Sequence, residues 1–544
     1  MAANILDEIV KKRREDISRL GFEFGVAVPE KRMRGKPVPF LPEKGAVLEV
    51  KRASPSKGDI APNLDASSTA FTYAAAGASA ISVLTEMNYF HGSLADLIAV
   101  GKAVDSYTAE HPESSVAVLR KDFLLDAGEV DVAYRAGADA VLLISRILTE
   151  DEMIRMAKRC EEYGMTAFIE LRLSEDVKKL ASVCAEVDKR FVVAGVNARD
   201  LATFRIDMLI PCGMLNEIKE TCGNDMRVVF ESGIRTPGAA GFAGSLGFTG
   251  MLLGEAAAKN PAMAKNLVTS FKDSSVNQNA KKWLELATRL REKKEGKKNC
   301  TRHANDRARP LLKICGLTNV EDALSATLMG PDFLGFVFSK GSPRCASSDV
   351  VLRVKSILDE QFNTTCQDEH IFAAGEDDLA PMLVGVVTDL ESEEGKTALS
   401  LVKKNKLDFL QLHGKKAVEQ FFADRENLNL PHYAVVNVES PSDVDEVARL
   451  CESGEPRVLI DAKKGAVLGG TGCSVSSENV LSVSRKLPLW LAGGINPETV
   501  SSIINSYSPE MIDVASGVES EPGKKDYDRL LALDNAISSA VSCR

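Results

Sequence analysis

The chain has little of what marks metal, disulfide or membrane chemistry. Histidine occurs only 6 times in 544 residues. No H-E-x-x-H spacing sets two imidazoles on one helical face, so a catalytic metal is not expected. The 11 cysteines are odd in number, scattered and free of any C-x-x-C pair. That excludes a zinc ribbon, argues against a disulfide framework and favours a reducing, cytoplasmic setting. The apolar runs fall short of the ~20 residues a membrane span needs. The net charge of −10 argues against nucleic acid as the main partner, while leaving room for local basic pockets.

What remains is the composition of an ordinary globular protein, 44% apolar and 26% charged, in a chain too long for one core. It opens on Ile5, Leu6, Ile9 and Val10, spaced for one face of an amphipathic helix rather than a signal peptide. Short apolar runs then recur at Ala46–Lys51, Ser79–Thr85, Val116–Lys121, Asp139–Ile144, Thr166–Glu170, Phe191–Asn197, Arg227–Ser232 and Thr249–Gly254, with helical patterns between them. Near-continuous apolar strands alternating with helices imply a parallel sheet, and eight such units in ~250 residues match a (β/α)8 barrel. The count of eight repeats at Leu311–Cys315, Phe333–Phe338, Met382–Val387, Asp408–His413, His432–Val438, Arg457–Asp461, Pro488–Ala492 and Met511–Ser516. The predicted class is α/β, two tandem TIM barrels, the first with an N-terminal helical extension. The domains fall at 1–261, at a helix and basic exposed linker over 262–310, and at 311–544. The acidic stretch Gln361–Ala380 reads as a solvated insertion.

Barrel chemistry sits at the carboxyl ends of the strands. In the first half those ends carry Glu49 and Lys51, then Lys121, Glu170, Asn197, and Glu231 with Ser232. Alone, Glu49 and Lys51 make an ordinary surface ion pair. Converging with the rest, they form a costly charge cluster unless it binds something. The ordered segments EVKRASPSKG (49–58), AISVLT (80–85), LRKDF (119–123), NARDL (197–201) and ESGI (231–234) resemble indole-3-glycerol-phosphate synthase over residues 1 to about 260. The resemblance implies Lys121 as the ring-closure acid and Lys51 with Glu170 in the dehydration. It also implies Glu49 aiming Lys51, and Asn197 and Glu231 holding substrate hydroxyls and the anilino group. Phe123, Arg199 and Ser232 join them as binding residues, and Ser54-Pro55-Ser56 as a loop over the substrate. The phosphate should rest near Gly233 and Gly254, beside Lys51 and Ser54. Where some members carry a hydroxyl after the second of these glycines, this chain has Glu255, which is expected to face solvent or pair with a lysine.

In the second half LKICGLTN (312–319) sets Cys315 at a strand end. Gln411-Leu412-His413-Gly414, Leu459-Ile460-Asp461, Gly469-Gly470-Thr471-Gly472, Ala492-Gly493-Gly494-Ile495 and Asp513-Val514-Ala515-Ser516-Gly517 follow. With Ser342-Pro343-Arg344 and Pro522-Gly523-Lys524-Lys525-Asp526, this half resembles phosphoribosylanthranilate isomerase over residues 311 to about 535. The resemblance implies Asp461 as the acid and Cys315 as the base of an Amadori rearrangement. Arg344 would take the anthranilate carboxylate, with Gln411 among the binding residues. Gly470, Gly472, Gly493, Gly494, Ser516 and Gly517 would cradle the phosphate. His413 suits a structural hydrogen bond as well as a substrate contact. Residues 473–477 lack the Phe-Asp-Trp run common in that family, which bears on the packing of this loop.

The product of the second family's reaction is the substrate of the first, so the expectation is a bifunctional tryptophan-biosynthetic enzyme. It would use phosphorylated small molecules and no cofactor, bind no membrane, and admit other pathway enzymes as partners. A plastid is the alternative compartment, since some eukaryotic members carry a targeting extension. The rival functions are one active barrel with the other kept as a scaffold or regulatory binding module, and a related histidine-pathway isomerase. The latter uses paired aspartates rather than Cys315 with Asp461.

Overall fold

The computed structural model describes residues 5–55, 57–200, 205–295, 309–363, 379–424, 428–462 and 475–542. They form two units, residues 1–276 with 452–454, and residues 277–451 with 455–544. Each holds a closed barrel of eight parallel strands, as the repeat of apolar runs predicts.

In the first barrel the strands are β1 (Gly45–Val50), β2 (Ala80–Leu84), β3 (Ala117–Lys121), β4 (Ala140–Ile144), β5 (Thr166–Leu171), β6 (Val192–Asn197), β7 (Val228–Glu231) and β8 (Gly250–Leu253). Each pairs with its sequence neighbours, and β8 closes on β1 with Val47 opposite Leu252. Side chains alternate across a strand. Val47, Ala80, Leu119, Leu142, Phe168, Val193 and Val229 therefore point inward and form the barrel's own core with Phe40 and Leu41, which precede β1. The helix Ile5–Leu20, α1, buries Leu6 and Ile9, as its periodicity predicts.

The second barrel runs β9 (Leu311–Cys315), β10 (Phe333–Phe338), β11 (Met382–Val387), β12 (Phe409–His413), β13 (His432–Asn437), β14 (Val458–Asp461), β15 (Trp490–Ala492) and β16 (Met511–Val514). It closes through β9 and β16, with Lys313 opposite Asp513.

Between the barrels, the stretch expected to be helical over 262–290 is helical over most of its length. The helical run divides into Pro261–Asp273 and a second helix, α2 (Gln278–Glu295), which lies within the second unit. Trp283 of α2 is fully buried. Its ring centroid lies 5.1 Å from that of Phe409 and 6.1 Å from that of Trp490, each the first residue of its strand. Lys282 pairs with Asp408 at 2.7 Å and Arg289 donates to the Ala380 carbonyl at 2.8 Å. One face of α2 carries Ala280, Trp283, Leu286 and Leu290 into the barrel floor, and residues 291–295, expected as the start of the exposed linker, extend this helix. The remainder of the linker, 296–308, lies outside the described residues, as does 364–378 of the acidic insertion.

Candidate active sites

In the first unit the polar strand ends meet over one cavity. Glu49 is 1% exposed and accepts from Lys51 Nζ at 2.7 Å through Oε1. Its Oε2 lies 3.4 Å from Lys121 Nζ, which also donates to Glu231 Oε2 at 3.0 Å. Glu170 completes the ring around Lys121 and is hydrogen-bonded by Asn197. Asn197 Oδ1 also accepts from the Arg199 amide at 3.0 Å, fixing the chain's exit from β6.

Burial disfavours charge on Lys121, but Glu231, Glu49 and Glu170 outweigh it and hold its pKa above the ordinary lysine value. Burial likewise opposes charge on Glu49, yet Lys51 and Lys121 draw its pKa down to about 2. For Glu231 burial prevails, abetted by Glu170 and Glu49, and its pKa is pushed up to about 7. Glu170 is raised too, by burial first and Glu49 second, against the pull of Lys121. The site thus holds a firmly protonated lysine beside one firmly ionised carboxylate and two that retain protons more readily.

Two glycines make room for this cluster. A Cβ on Gly254 would lie 2.6 Å from Glu49 Oε1, and one on Gly195 would lie 2.3 Å from Glu231 Oε1. After β7, Ser232 (φ 70°) and Gly233 (φ 85°) are both left-handed. Such a turn presents successive backbone N–H groups to an anion.

Ser54, Phe123, Arg199, Ser232, Gly233 and Gly254 line the same cavity with Glu49, Lys51, Lys121, Glu170 and Asn197. Glu231 is paired with Lys121 but does not itself line the cavity, and Ser56 falls outside the described residues. Glu255 pairs with Lys259 at 2.7 Å, one of the two outcomes anticipated for it. It also lines the cavity and stands 3.8 Å from Arg235.

Sequence reading missed what holds this mouth. Ile5, Leu6 and Ile9 of α1 line the cavity, as do Phe90 and Arg235. Arg13, only 4% exposed, crosses from α1 to Asp122 at 3.0 Å and to Glu129, while fully buried Arg120 reaches Asp122 at 3.2 Å. In the sequence Arg13 belongs to the run Lys11-Lys12-Arg13-Arg14, which looks like a uniformly wet face. Only the partner carboxylates reveal it as an anchor for the residues flanking Lys121.

In the second unit Cys315, Arg344, Gln411, His413, Asp461, Gly493, Gly494 and Ser516 line one cavity. Gly517 does not line it. A Cβ there would sit 2.0 Å from the Ile495 carbonyl oxygen, so this glycine serves backbone packing. Gly470 and Gly472 fall outside the described residues, as do 473–474 of the variant loop. Burial raises the Asp461 pKa, and Asp513 adds to this while His413 and Lys313 oppose it, so the proton is held more firmly than usual. Arg344 is gripped by Glu519, Nε to Oε1 at 2.9 Å and Nη2 to Oε2 at 2.6 Å. Gln411 Oε1 is occupied internally, accepting from Lys313 Nζ at 2.5 Å and Tyr433 Oη at 2.9 Å. Lys313 and Asp513 were not predicted. A lysine inside an apolar strand gives no periodicity signal that distinguishes an inward charge from an outward one.

Comparisons with known proteins divide the chain in the same way. Residues 6–269 match the family model described as indole-3-glycerol phosphate synthase, and residues 312–535 match that of N-(5'phosphoribosyl)anthranilate (PRA) isomerase. The indole-3-glycerol phosphate synthase of Desulforamulus reducens is 35% identical over 271 residues, 48% of this chain and 95% of that protein. The multifunctional tryptophan biosynthesis protein of Schizosaccharomyces pombe is 31% identical over 513 residues, 90% of this chain and 59% of that protein. A tryptophan biosynthesis protein of Phytophthora nicotianae is 28% identical over 505 residues, 86% of this chain and 87% of that protein. The chain thus spans 59% of the length of the Schizosaccharomyces pombe protein it matches. With the charge ring of its first barrel and the Cys315–Asp461 cavity of its second, the chain belongs to the indole-3-glycerol phosphate synthase family and carries a phosphoribosylanthranilate isomerase domain in the same polypeptide.

Proposed function

We propose that the chain catalyses two consecutive steps of tryptophan biosynthesis, isomerisation in the second unit and indole formation in the first. In the second unit Asp461 protonates the furanose oxygen of N-(5-phosphoribosyl)anthranilate, opening the ring to a Schiff base. Cys315 takes the proton from C2, and tautomerisation gives 1-(2-carboxyphenylamino)-1-deoxyribulose 5-phosphate. The raised Asp461 pKa suits a proton donor. Arg344 faces the anthranilate carboxylate, and Gly493, Gly494 and Ser516 face the phosphate.

In the first unit Lys121 protonates the ketone oxygen as the ring carbon bearing the carboxylate attacks. Loss of carbon dioxide restores the aromatic ring. Lys51 then protonates the departing hydroxyl while Glu170 removes a proton to complete the indole. Glu49, accepting from Lys51 Nζ at 2.7 Å, aims it. Phe90 and Phe123, with ring centroids 6.0 Å apart, supply apolar surface for the anthranilate ring. The phosphate lies against the N–H groups of the Ser232-Gly233 turn and Gly254. These are acid–base steps among the chain's own side chains. The seven free cysteines among the described residues fit a cytosolic setting. Among those residues no helix is long and apolar enough to cross a membrane.

The observation that carries this reading is Lys121, with Glu231 at 3.0 Å, Glu49 at 3.4 Å and Glu170 beyond, at the mouth of a barrel. A structural ion pair needs one carboxylate, not three. Single-turnover assays test the assignment. Lys121→Ala should abolish indole formation and spare isomerisation, and Cys315→Ala should do the reverse. If either variant keeps its own activity, the assignment is wrong.

A further inference from the structure

Lys313 is fully buried inside the second barrel, two residues before Cys315 on β9 and on the same inward face. Its ammonium donates to Asp513 Oδ2 at 2.7 Å and to Gln411. A buried lysine paired with an aspartate is ordinarily a replaceable strut. The charges around Cys315 make this one different.

Facing the thiol are Lys313 on its own strand, Asp513 and Tyr433 on β16 and β13, Lys525 from the ribbon after β16, and Arg344 after β10. Lys525 Nζ donates to the Cys315 carbonyl at 2.6 Å and to Glu519 Oε1 at 3.0 Å, and the same Glu519 holds Arg344. Three cations, Lys313, Lys525 and Arg344, therefore share two carboxylates, Asp513 and Glu519. A third carboxyl group, Asp461, also faces Lys313 and Asp513, but burial makes it hold its proton more firmly than usual. With Asp461 neutral, the cluster carries one positive charge more than it neutralises, around a group that becomes an anion on losing its proton.

We infer that the Cys315 thiolate is the missing anion of this cluster, and that Lys313 is the positioning residue that makes the thiol a usable base. The inference rests on the proposed role of Cys315 and adds what enables it. Burial alone pushes the Cys315 thiol up, away from the ionised form a base requires. Lys313 opposes that most strongly, with Lys525 helping and Asp513 working against both. Asp513 thus tethers the ammonium and also competes for its charge.

The test is site-resolved alkylation of the intact chain by iodoacetamide, following the Cys315 peptide by mass spectrometry across pH. The thiolate displaces iodide, so the rate reports its population. Lys313→Met should slow Cys315 alkylation about tenfold at pH 8 and move its midpoint up by about one unit. Asp513→Asn, which keeps the ammonium and removes its competitor, should move the midpoint down. In isomerase assays Lys313→Met should shift the thiol-dependent limb of the kcat/KM profile upward by the same amount. If the folded Lys313→Met chain keeps the wild-type midpoint, Lys313 is only a strut and the inference fails. If that variant does not fold, Asp513→Asn decides, and an unmoved or raised midpoint overturns the inference. Alkylation does not depend on turnover, so these outcomes stand apart from the Cys315→Ala assay that tests the underlying role.

Discussion

Lys121 and Glu231 face one another across the first barrel, from the ends of β3 and β7, with Nζ and Oε2 3.0 Å apart and the carboxylate 1% exposed. The pair is asymmetric. Lys121 has Glu49 and Glu170 as further counter-charges, whereas Glu231 has two like charges beside it. The lysine is therefore held charged while the carboxylate is pressed toward neutrality.

That asymmetry predicts a pH dependence of stability. Glu231 releases its proton near pH 7 when folded and near 4.5 when unfolded. Between these values the folded state holds the extra proton, so stability of the first unit falls as pH rises through the window. Glu231→Gln should flatten this part of the Tm–pH curve for the first unit, as read by calorimetry. Glu49 acts oppositely. With a folded pKa of about 2, its contribution is complete above 4.5 and lost as pH falls toward 2. Glu49→Gln should remove part of the acid-side loss.

Gly254→Ala should damage indole formation far more than folding. The added methyl would come 2.6 Å from Glu49 Oε1 and 3.6 Å from Lys51 Nζ, displacing the pair to which we assign a part in the proposed dehydration. A small shift of such a group lowers kcat by about 10²-fold. Steady-state kinetics should show that loss, with isomerase kinetics unchanged and the Tm of the first unit within a few degrees of wild type.

Trp283→Ala should destabilise the second unit by about 3–5 kcal/mol, the usual cost of emptying a buried aromatic site. Trp283 fills the floor among Phe409 and Trp490, and its removal takes both ring contacts away. Thermal inactivation should show isomerase activity lost at lower temperature while indole formation keeps its wild-type profile.

Arg344→Lys should raise the isomerase KM about tenfold or more with little change in kcat. Glu519 takes Nε and Nη2 of Arg344, leaving Nη1 as the arm of the fork with no protein acceptor among the described residues. A lysine cannot hold Glu519 and a substrate carboxylate in one plane. Equal KM values for the two forms would remove Arg344 from substrate recognition.

The architecture was legible because all sixteen barrel strands are buried apolar runs, and each run lies within one or two residues of the observed strand. The first site was legible because polar residues interrupt those runs at their carboxyl ends, where a barrel opens. Arg13, Trp283 and Lys313 were not. Arg13 and Trp283 lie on amphipathic helices whose charge and apolar faces look ordinary until the packed neighbour is known. Lys313 lies in a strand whose every residue is buried, so alternation carries no label for inside and outside.

The sequence by itself determined the two barrels, their order and the ionisable residues at their mouths, since all of these follow from local pattern and from which residue types end the strands. Only the tertiary structure decided how those groups are charged: that Lys121 is shared among three carboxylates, that Glu519 serves both Arg344 and Lys525, and that Lys313 stands beneath Cys315. Proton affinities depend on burial and on charges brought near from distant parts of the chain, and neither exists until the barrel closes.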